Sequence, residues 1–354
     1  PASGTGQWLS GARTMPARVR GREPRSWITL TGASAHNLKV GEVRVPTGVW
    51  VGVSGVSGSG KSTLIMDTFA PALQSAIGVN AFAARHDTLV LGEAIDRVVV
   101  IDQSPIGTNP RSTPATYCKI LDPLRSLFAE LPGSRERGWT PTRFSWNSPS
   151  GGRCTVCEGR GSILVEMHFL PDVWVTCEAC HGRRFGRETL EVRFRGKTIA
   201  DVLGMRIDEA AELFANQRRI KRQLDALVDV GLGYVTLGQP ANTLSGGEAQ
   251  RVKLASELTS RKGHCVYVLD EPTTGLHLSD VAKLVEVLDR LVESGHTVIT
   301  IEHHIDMLRA ADWLIDLGPE GGAAGGQLVG EGSPEHVATL DTPTGHALRA
   351  ASAG

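Results

Sequence analysis

The sequence has no apolar run that approaches the roughly 18 residues a membrane-spanning helix needs, so we expect no membrane-embedded part. It has almost no net charge, because 37 Lys and Arg residues stand against 38 Asp and Glu residues. This balance excludes attraction of the whole molecule to nucleic acid or to an acidic membrane, so local charge must account for any such binding. No signal peptide is recognisable at the N-terminus.

A disulfide-rich composition is absent as well, since the chain has six cysteines and four of them form two C-x-x-C pairs. Such usage favours a bound metal in a reducing compartment over disulfides, and it predicts a cytoplasmic protein. The composition is otherwise that of a globular protein. A chain of 354 residues that is 41% hydrophobic can bury a full core, and its length favours two lobes.

A glycine-rich stretch between an apolar run and a helical pattern is the most informative part of the chain. Residues 55–62 read GVSGSGKS and match G-x-x-x-x-G-K-[ST], the phosphate-binding P-loop. Glycines let the backbone turn so that its N–H groups converge on phosphate oxygens, and the following helix adds its positive N-terminus. Lys61 should reach the β- and γ-phosphates and Ser62 should bind Mg²⁺; the alternative is a glycine-rich turn with a chance lysine. The residues predicted to bind nucleotide here are Gly55, Ser57, Gly58, Ser59, Gly60, Lys61, Ser62 and Thr63.

Hydrophobic patterning predicts an alternation of buried strands and helices around this stretch. Strands are expected at 27–30, 43–45, 49–54, 98–101, 266–269 and 297–301, and a hairpin with strands at 163–169 and 173–175. Helices are expected at 63–77, 119–130 and 208–229. The remaining stretches should be a linker over the arginine-rich residues 1–26, a long loop at 104–116 and an irregular segment at 131–150.

The four paired cysteines have the spacing of a structural zinc site. Cys154 and Cys157 are followed by Cys177 and Cys180 in the pattern C-x₂-C-x₁₉-C-x₂-C. Four thiolates would close a tetrahedral shell and leave no position for a catalytic water, so we expect a structural metal. Disulfides or an iron–sulfur cluster are the alternatives. The other cysteines, Cys118 and Cys265, should pack as small apolar residues, and His168 and His181 should be structural or solvated.

Basic and aromatic side chains are interleaved around the cysteines. Residues 131–197 contain eleven Arg and Lys against seven Asp and Glu. The aromatic residues among them are Trp139, Phe144, Trp146, Trp174 and Phe185. Arginines that bind phosphates and aromatics that stack on bases are typical of nucleic-acid surfaces. The alternative, which the sequence leaves equally open, is that these aromatics form the small core of the module.

A second anion-binding arrangement is expected in the stretch LSGGEAQR. There, Ser245, Gly246 and Gly247 would place a hydroxyl and bare N–H groups at a helix N-terminus.

Further polar groups follow the ends of predicted strands. Asp270 can hold Mg²⁺ through water, and the adjacent Glu271 can orient and deprotonate an attacking water. His303 could contact the γ-phosphate, and Gln103 could contact a metal or a water. The order and spacing of these groups after a P-loop make coincidence a poor explanation.

These motifs together resemble the ATP-binding cassette (ABC) ATPases and, more narrowly, the UvrA family of damage-sensing subunits in bacterial nucleotide excision repair. The matching stretches are GVSGSGKSTL at 55–64, IDQSPIG at 101–107, PRSTPATY at 110–117, GGRCTVCEGRG at 151–161, EMHFLPDV at 166–173, ADVL at 200–203, VGLGYVTLGQPANTLSGGEAQRVKLASEL at 230–258 and VLDEPTTGLH at 268–277. The resemblance extends from about residue 27 to residue 349. The cysteine module between the P-loop and the signature stretch distinguishes it from transporter cassettes.

The resemblance implies an α/β fold, namely an ABC-type P-loop NTPase core with an inserted helical signature lobe that carries a Cys₄ zinc module. It implies the second of two tandem cassettes, in which the stretch T-G-x-x-L at 5–9 and again at 344–348 would mark the two cassette ends. The domains would be a linker at 1–26, an ATP-binding core at 27–100 and 260–354, and a signature lobe at 101–259 with its zinc module at about 150–187.

The resemblance also implies roles for single residues. Ser62, Gln103 and Asp270 would bind Mg²⁺ with ATP, Gln103 would also sense the γ-phosphate, Glu271 would serve the attacking water, and His303 would be the switch histidine. Zn²⁺ would be held by the four paired cysteines. The signature serine would contact nucleotide on an opposing P-loop, so one cassette would contain two half-sites.

The activity implied is ATP hydrolysis that controls binding to damaged double-stranded DNA, without a nuclease activity of its own. The implied partners are a second cassette in the same chain or a second protomer, and a UvrB-like helicase subunit. Alternatives are a related protein for resistance to DNA-binding drugs, an ABC transporter ATPase subunit and a scaffold that binds nucleotide without hydrolysis.

Overall fold

The computed structural model describes residues 21–167, 169, 173–259 and 263–352, together with residues 6, 12 and 15. Most of the predicted linker at 1–26 and most of the stretch at 5–9 lie outside the described residues, as do His168 and the turn between the two hairpin strands. The chain forms two compact units. Unit one comprises residues 1–103 and 261–354, and unit two comprises residues 104–260.

The strands are β1 (Trp27–Ala33), β2 (Val40–Pro46), β3 (Trp50–Gly55), β4 (Thr88–Leu91), β5 (Arg97–Ile101), β6 (Ser162–Val165), β7 (Val173–Thr176), β8 (Cys265–Asp270), β9 (Thr297–Ile301), β10 (Trp313–Gly318) and β11 (Gln327–Gly332). The helices are α1 (Thr63–Phe69), α2 (Ala70–Ala76), α3 (Pro114–Tyr117), α4 (Leu121–Ala129), α5 (Pro132–Arg135), α6 (Ile199–Gly204), α7 (Ile207–Leu213), α8 (Arg218–Asp229), α9 (Gly246–Leu258), α10 (Leu278–Glu293), α11 (Ile305–Ala310), α12 (Pro334–Val337) and α13 (Pro343–Ser352). Short 3₁₀ turns lie at Pro141–Phe144, Glu188–Glu191, Ala241–Thr243 and Gly322–Ala324.

The core of unit one is a six-stranded sheet with the order β11-β10-β3-β9-β8-β5. Strand β11 runs antiparallel to β10, and the other neighbouring pairs are parallel. Strands β3, β8 and β9 are buried along almost their whole length, which is why they are continuous apolar runs in the sequence. The predicted α/β P-loop fold is confirmed, and the predicted helix at 63–77 is present as α1, wound as a π-helix, followed directly by α2.

A second sheet in unit one is antiparallel, with the order β2-β1-β4. Strand β1 alternates between buried and half-exposed residues, as expected for a sheet with one face on the core. The sequence did not predict β4, β10 or β11. Strand β4 has only four residues, β10 has an aspartate in its centre, and β11 contains two glycines, so each is a poor apolar or alternating run.

Unit two is built from helices α3–α9 and the hairpin β6–β7. The single helix predicted at 208–229 is wrong, because the chain leaves helical geometry after Leu213 and α8 begins only at Arg218. Phe214 is fully buried and stacks on Phe194 with the ring centroids 5.4 Å apart. This packing fixes the break, whereas the periodicity of apolar residues continues across it.

Three other predictions for unit two need correction. The loop predicted at 104–116 ends at Thr113, which caps α3 through a reciprocal pair of hydrogen bonds with Thr116. The segment at 131–150 includes helix α5 and a 3₁₀ turn, each with proline at a first helical position. The first hairpin strand ends at Val165 instead of Phe169.

The interleaved aromatics of unit two are divided between its interior and its surface. Phe144, Trp146 and Phe185 are at most 1% exposed, and the Trp146 and Phe185 rings meet edge to face with centroids 6.0 Å apart. These three form a small core and cannot stack on bases without unfolding. Trp174 is 39% exposed on β7, and Trp139 lies beside two guanidinium groups, those of Arg137 and Arg143. Among the described residues, no helix is long and apolar enough to cross a membrane.

Candidate nucleotide and metal sites

The predicted nucleotide-binding residues of unit one gather at one edge of the six-stranded sheet. Strands β3, β9, β8 and β5 are successive parallel neighbours, so their carboxyl ends meet at the same edge. The P-loop follows β3, His303 follows β9, Glu271 follows β8 and Gln103 follows β5. Open α/β sheets bind ligands in this position, outside the carboxyl ends of the strands.

The P-loop backbone requires its glycines. Gly55, Gly58 and Gly60 have φ of 138°, 74° and 98°, in the region that residues with a side chain rarely adopt. A Cβ on Gly55 would lie 2.1 Å from the Leu317 carbonyl oxygen, so the neighbouring strand would have to move to admit any side chain. Each of these three glycines is therefore required by the backbone conformation at its own position.

Lys61 is folded into the loop and is 6% exposed. Its Nζ donates to the carbonyl oxygens of Gly55 and Val56, each at 2.9 Å. Burial lowers the pKa of Lys61, and the carboxylates of Glu271, Asp316 and Asp270 oppose that effect. A buried ammonium group that bonds only to neutral carbonyls is well suited to accept an anion such as phosphate.

A group of carboxylates faces the P-loop. Burial raises the pKa of Asp270, and the charges of Glu271, Asp102 and Asp67 raise it further against the opposing effect of Lys61. Excess negative charge of this kind is relieved by a bound cation. The hydroxyl of Ser62 makes no hydrogen bond to the helix that it precedes, so it remains available as a further oxygen ligand. The donor set is all oxygen, which suits Mg²⁺.

Glu271 and His303 are brought together from neighbouring strands. His303 Nε2 lies 3.7 Å from Glu271 Oε1, and both side chains are nearly half exposed. Glu271 has a positive φ of 44°, and its N–H donates to the Ile301 carbonyl oxygen at 2.9 Å, so the end of β9 holds its backbone. Burial lowers the pKa of His303, Lys61 lowers it further, and Glu271 raises it.

Glu302 is a site residue that sequence reasoning missed. It is 1% exposed and accepts hydrogen bonds from the N–H and hydroxyl of Thr273, both at 3.0 Å, and from the N–H groups of His303 at 3.1 Å and His304 at 3.2 Å. Burial raises its pKa, and these four donors oppose the shift. The Glu302 carboxylate thus joins the segment after β8 to the segment after β9. This contact fixes the position of the His303 backbone.

The other predicted site residues of unit one are Gln103, Ser57, Ser59 and Thr63. Gln103 is half-buried two residues beyond β5, and its side chain makes no hydrogen bond within the described residues. Ser57 is exposed at the turn of the P-loop, whereas Ser59 is buried with no partner for its hydroxyl among those residues. Thr63 begins α1.

The signature residues lie in unit two at the N-terminus of α9. Ser245 caps the helix, because its Oγ accepts from the Glu248 N–H at 3.3 Å while the Ser245 N–H donates to Glu248 Oε2 at 2.8 Å. The predicted helix start at LSGGEAQR is therefore present. Gly246 and Gly247 are half-buried in the first turn, where no side chain of their own covers their N–H groups.

The four paired cysteines of unit two converge on one buried point. Their sulfur atoms all lie within 4.8 Å of one another, with Cys154 and Cys177 at 4.0 Å and Cys157 and Cys180 at 3.6 Å. A tetrahedral zinc with bonds of about 2.3 Å requires sulfur separations of about 3.8 Å, so the geometry fits that metal. None of the six cysteines forms a disulfide.

A buried arginine braces this cluster. Arg184 is 7% exposed and donates to the carbonyl oxygens of Pro110 at 2.8 Å and Gly238 at 3.3 Å, with its guanidinium over the Trp146 ring. Burial lowers the pKa of Arg184 to about 10, against the opposing charges of Cys157 and Cys180. It therefore cannot serve a DNA-binding surface as its sequence position suggested.

Curated proteins of one name match this chain, and each is much longer than it. It is 52% identical over 348 residues to the UvrABC system protein A of Thermus thermophilus, covering 98% of this chain and 36% of that protein. It is 53% identical over 353 residues to the protein of the same name from Aquifex aeolicus, covering 99% of this chain and 38% of that protein. The chain thus spans little more than a third of the curated relatives that it matches. No family model matches it.

Among solved structures, UvrA2 from Deinococcus radiodurans matches with a TM-score of 0.90 and 48% identity. The match covers 99% of this chain and 43% of that structure. The agreement therefore includes both compact units as well as the sequence motifs.

Proposed function

Because this chain belongs to the UvrA family, we propose that it is one ATP-hydrolysing cassette of a DNA-repair protein, the second of two, in which nucleotide controls binding to damaged duplex DNA. Unit one would be the ATP-binding core and unit two the signature lobe. The observation that supports this proposal best is the gathering of Lys61, Asp270, Glu271 and His303 at one edge of a parallel sheet. That arrangement has the groups that phosphoryl transfer to water requires.

In the proposed reaction the P-loop N–H groups and Lys61 bind the β- and γ-phosphates of ATP. Asp270, Ser62 and Gln103 would hold Mg²⁺, which supplies positive charge that offsets the charge of the phosphates. Glu271 orients and deprotonates the attacking water, and His303 donates a hydrogen bond towards the γ-phosphate. Glu302 keeps His303 at the end of β9 through the N–H bonds described above.

ATP turnover by the assembled protein, with each of two substitutions in this chain, tests this assignment. Lys61→Ala should lose both ATP binding and turnover, because it removes the buried cation of the cradle. Glu271→Gln should still bind ATP but should hydrolyse it at least 100-fold more slowly, within the range expected for loss of general-base catalysis. Equal turnover by Glu271→Gln and the parent would overturn the catalytic role.

Ser245, Gly246 and Gly247 are proposed to complete a nucleotide site formed with an opposing P-loop, supplied by another cassette of the same protein or by a second copy. Their support is an exposed hydroxyl and half-buried glycines at the N-terminus of a 13-residue helix. A UvrB-like helicase subunit is the further partner proposed from the family, to be tested by co-purification.

DNA binding is proposed for a concave surface beside the cysteine cluster. A cavity of about 590 Å³ is bordered by Arg183, Arg187 and Arg193. The carboxylate on its edge, Glu191, is already paired with Arg137 at 2.8 Å, and neither Arg183 nor Arg187 forms an ion pair within the described residues. Unpaired arginines at a concave surface suit the phosphates of a nucleic-acid backbone.

Salt titrations of duplex binding test that surface. The double variant Arg183→Ala/Arg187→Ala should weaken binding and reduce the slope of log K against log [salt] by about 2, one for each lost phosphate contact. The control is Arg218→Ala/Arg219→Ala, which removes the same charge from exposed positions on α8. Equal slopes for the parent and the first variant would exclude this surface, and a duplex with a bulky adduct should bind more tightly than an intact one.

Zinc is the metal proposed for Cys154, Cys157, Cys177 and Cys180, because four buried thiolates at tetrahedral spacing leave no open ligand position. The cytoplasm is the proposed compartment, because six cysteines without a disulfide suit a reducing environment.

A further inference from the structure

A glycine-rich loop that follows β10 packs directly on the outer side of the P-loop. Residues 320–326 read EGGAAGG. The Gly322 N–H donates to the Gly58 carbonyl oxygen at 3.0 Å, and the Gly326 N–H donates to the Ser59 carbonyl oxygen at 3.2 Å. We call residues 320–326 the clasp. The clasp thus binds two consecutive carbonyl groups of the P-loop, although it lies more than 250 residues further along the chain.

Asn37 closes the same contact from the turn between β1 and β2. Its Nδ2 donates to the Gly58 carbonyl oxygen and to the Gly322 carbonyl oxygen, both at 3.0 Å. Because both neighbours are acceptors, the amide nitrogen and not the amide oxygen must face them. Both donor hydrogens of Asn37 are thereby used, one on the P-loop and one on the clasp.

Because of the geometry of the peptide group, this contact also orients N–H groups of the P-loop. In a planar trans peptide the C=O and the following N–H point in opposite directions. When the clasp holds the Ser59 carbonyl outward, the Gly60 N–H must point to the opposite side, and that N–H has no acceptor within the described residues. Likewise, the outward Gly58 carbonyl turns the Ser59 N–H inward, where it donates to the Val56 carbonyl oxygen at 3.2 Å.

The clasp has no room for side chains where it meets the P-loop. A Cβ on Gly321 would lie 2.5 Å from the Ser57 carbonyl oxygen, and a Cβ on Gly326 would lie 1.8 Å from the Asn37 carbonyl oxygen. The backbones therefore touch directly, so a displacement of the clasp is transmitted to the P-loop without a flexible side chain between them.

We propose that Asn37 and the clasp are positioning elements of the nucleotide site, which hold the Gly60 N–H group turned towards the phosphates. This inference rests on the proposed ATP binding. It assigns a role to the turn between β1 and β2 and to the loop after β10, neither of which carries a phosphate-binding motif. Asn37 touches no phosphate itself and acts through the Gly58–Ser59 peptide.

The test is the affinity for ATP with Mg²⁺, measured by calorimetric titration of the parent chain and its variants. Asn37→Asp keeps the shape but places carboxylate oxygens against two carbonyls, so affinity should fall about tenfold or more. Gly321→Ala should act similarly by displacing Ser57. The control is Asn80→Asp, which makes the same chemical change at an exposed position after α2; its affinity should stay within twofold of the parent.

Two further readouts separate positioning from general loosening. Hydrogen exchange of the 55–62 amides should quicken in Asn37→Asp while the amides of β8 and β9 stay protected. In turnover, KM should rise with kcat nearly unchanged, because contacts to phosphates that do not react are lost equally in the ground and transition states. Parent-like affinity of Asn37→Asp, or an equal loss in Asn80→Asp, would overturn the inference. Failure of the parent itself to bind ATP would instead overturn the proposed function.

Discussion

The imidazole Nε2 of His303 lies 3.7 Å from the carboxylate Oε1 of Glu271, and the two residues follow adjacent parallel strands. Lys61 acts on the same imidazole with the opposite sign, since its charge lowers the pKa of His303 and that of Glu271 raises it. The proton affinity of His303 therefore reports the electrostatic balance of the site. The pKa of His303 is therefore a probe of phosphate and cation binding at the nucleotide site.

The first prediction concerns the titration of His303. Burial and Lys61 together lower its pKa, so its NMR titration midpoint should lie below the ordinary value of about 6.5. Lys61→Met should raise the midpoint, and Glu271→Gln should lower it further. An unchanged midpoint in both variants, or shifts in the opposite directions, would contradict these effects of Lys61 and Glu271 on the pKa of His303.

The sign of the linked stability change follows from the same shift. Between the lowered pKa and about 6.5, the folded state binds fewer protons at His303 than the unfolded state does. Stability therefore falls as pH decreases through that window. The contribution should disappear in His303→Gln, as measured by urea unfolding at several pH values.

The second prediction concerns Glu302. Its carboxylate accepts from four donors, and a glutamine can offer only one oxygen and must turn an amide N–H₂ towards donors. Glu302→Gln should lower the free energy of unfolding by about 1–3 kcal/mol, the usual result of leaving a buried donor unsatisfied. Glu42→Gln, at an exposed position of β2, should have no measurable effect. Equal denaturation midpoints for both variants would show that these hydrogen bonds do not hold the segment.

The third prediction concerns the metal. Elemental analysis should find one zinc per chain, and Cys157→Ser should lose it because three thiolates close the shell less tightly. Cys118→Ala is the matched control: this thiol is buried elsewhere in unit two, burial raises its pKa to about 12, and its loss should leave the zinc in place.

Hydrogen exchange shows where the metal acts. Without it, residues 150–187 should exchange faster, because the metal joins two turns that pack against a small core. A folded parent with zinc content near zero would refute the metal assignment.

The fourth prediction separates the structural and functional roles of Ser245. Ser245 and Thr198 each cap a helix through the same reciprocal pair of hydrogen bonds, with Glu248 and Asp201 respectively. Ser245→Ala and Thr198→Ala should each lower stability by about 1 kcal/mol. Only Ser245→Ala should also slow ATP turnover by the assembled protein. Equal turnover in the two variants would leave Ser245 as a helix cap alone.

The parts of the fold that the sequence predicted are those in which one short run contains the whole signal. Strands β3, β8 and β9 are buried throughout, and Ser245 precedes its helix in a recognisable capping pattern. The P-loop was predictable because its glycines are required by its own backbone.

The parts that the sequence did not predict depend on distant partners. Glu302 reads as one acid beside two histidines, and its burial depends on Thr273 and on the end of β9. Asn37 gains its role only when a loop 285 positions away reaches the P-loop. The aromatics around the cysteines could have lain inside or outside, and only the packing of Trp146 against Phe185 decided between these alternatives.

Strand β3, which leads into the P-loop, pairs with β9 on one side and β10 on the other. During synthesis on the ribosome, β9 is complete only when the polypeptide has been extended to Ile301, and β10 only when it has reached Gly318. At ribosomal elongation rates of roughly 5–20 residues per second, the first of these intervals lasts on the order of ten seconds or more. A nascent chain should therefore carry an apolar strand without its sheet neighbours for that time, which makes the segment around β3 a candidate for capture by a chaperone.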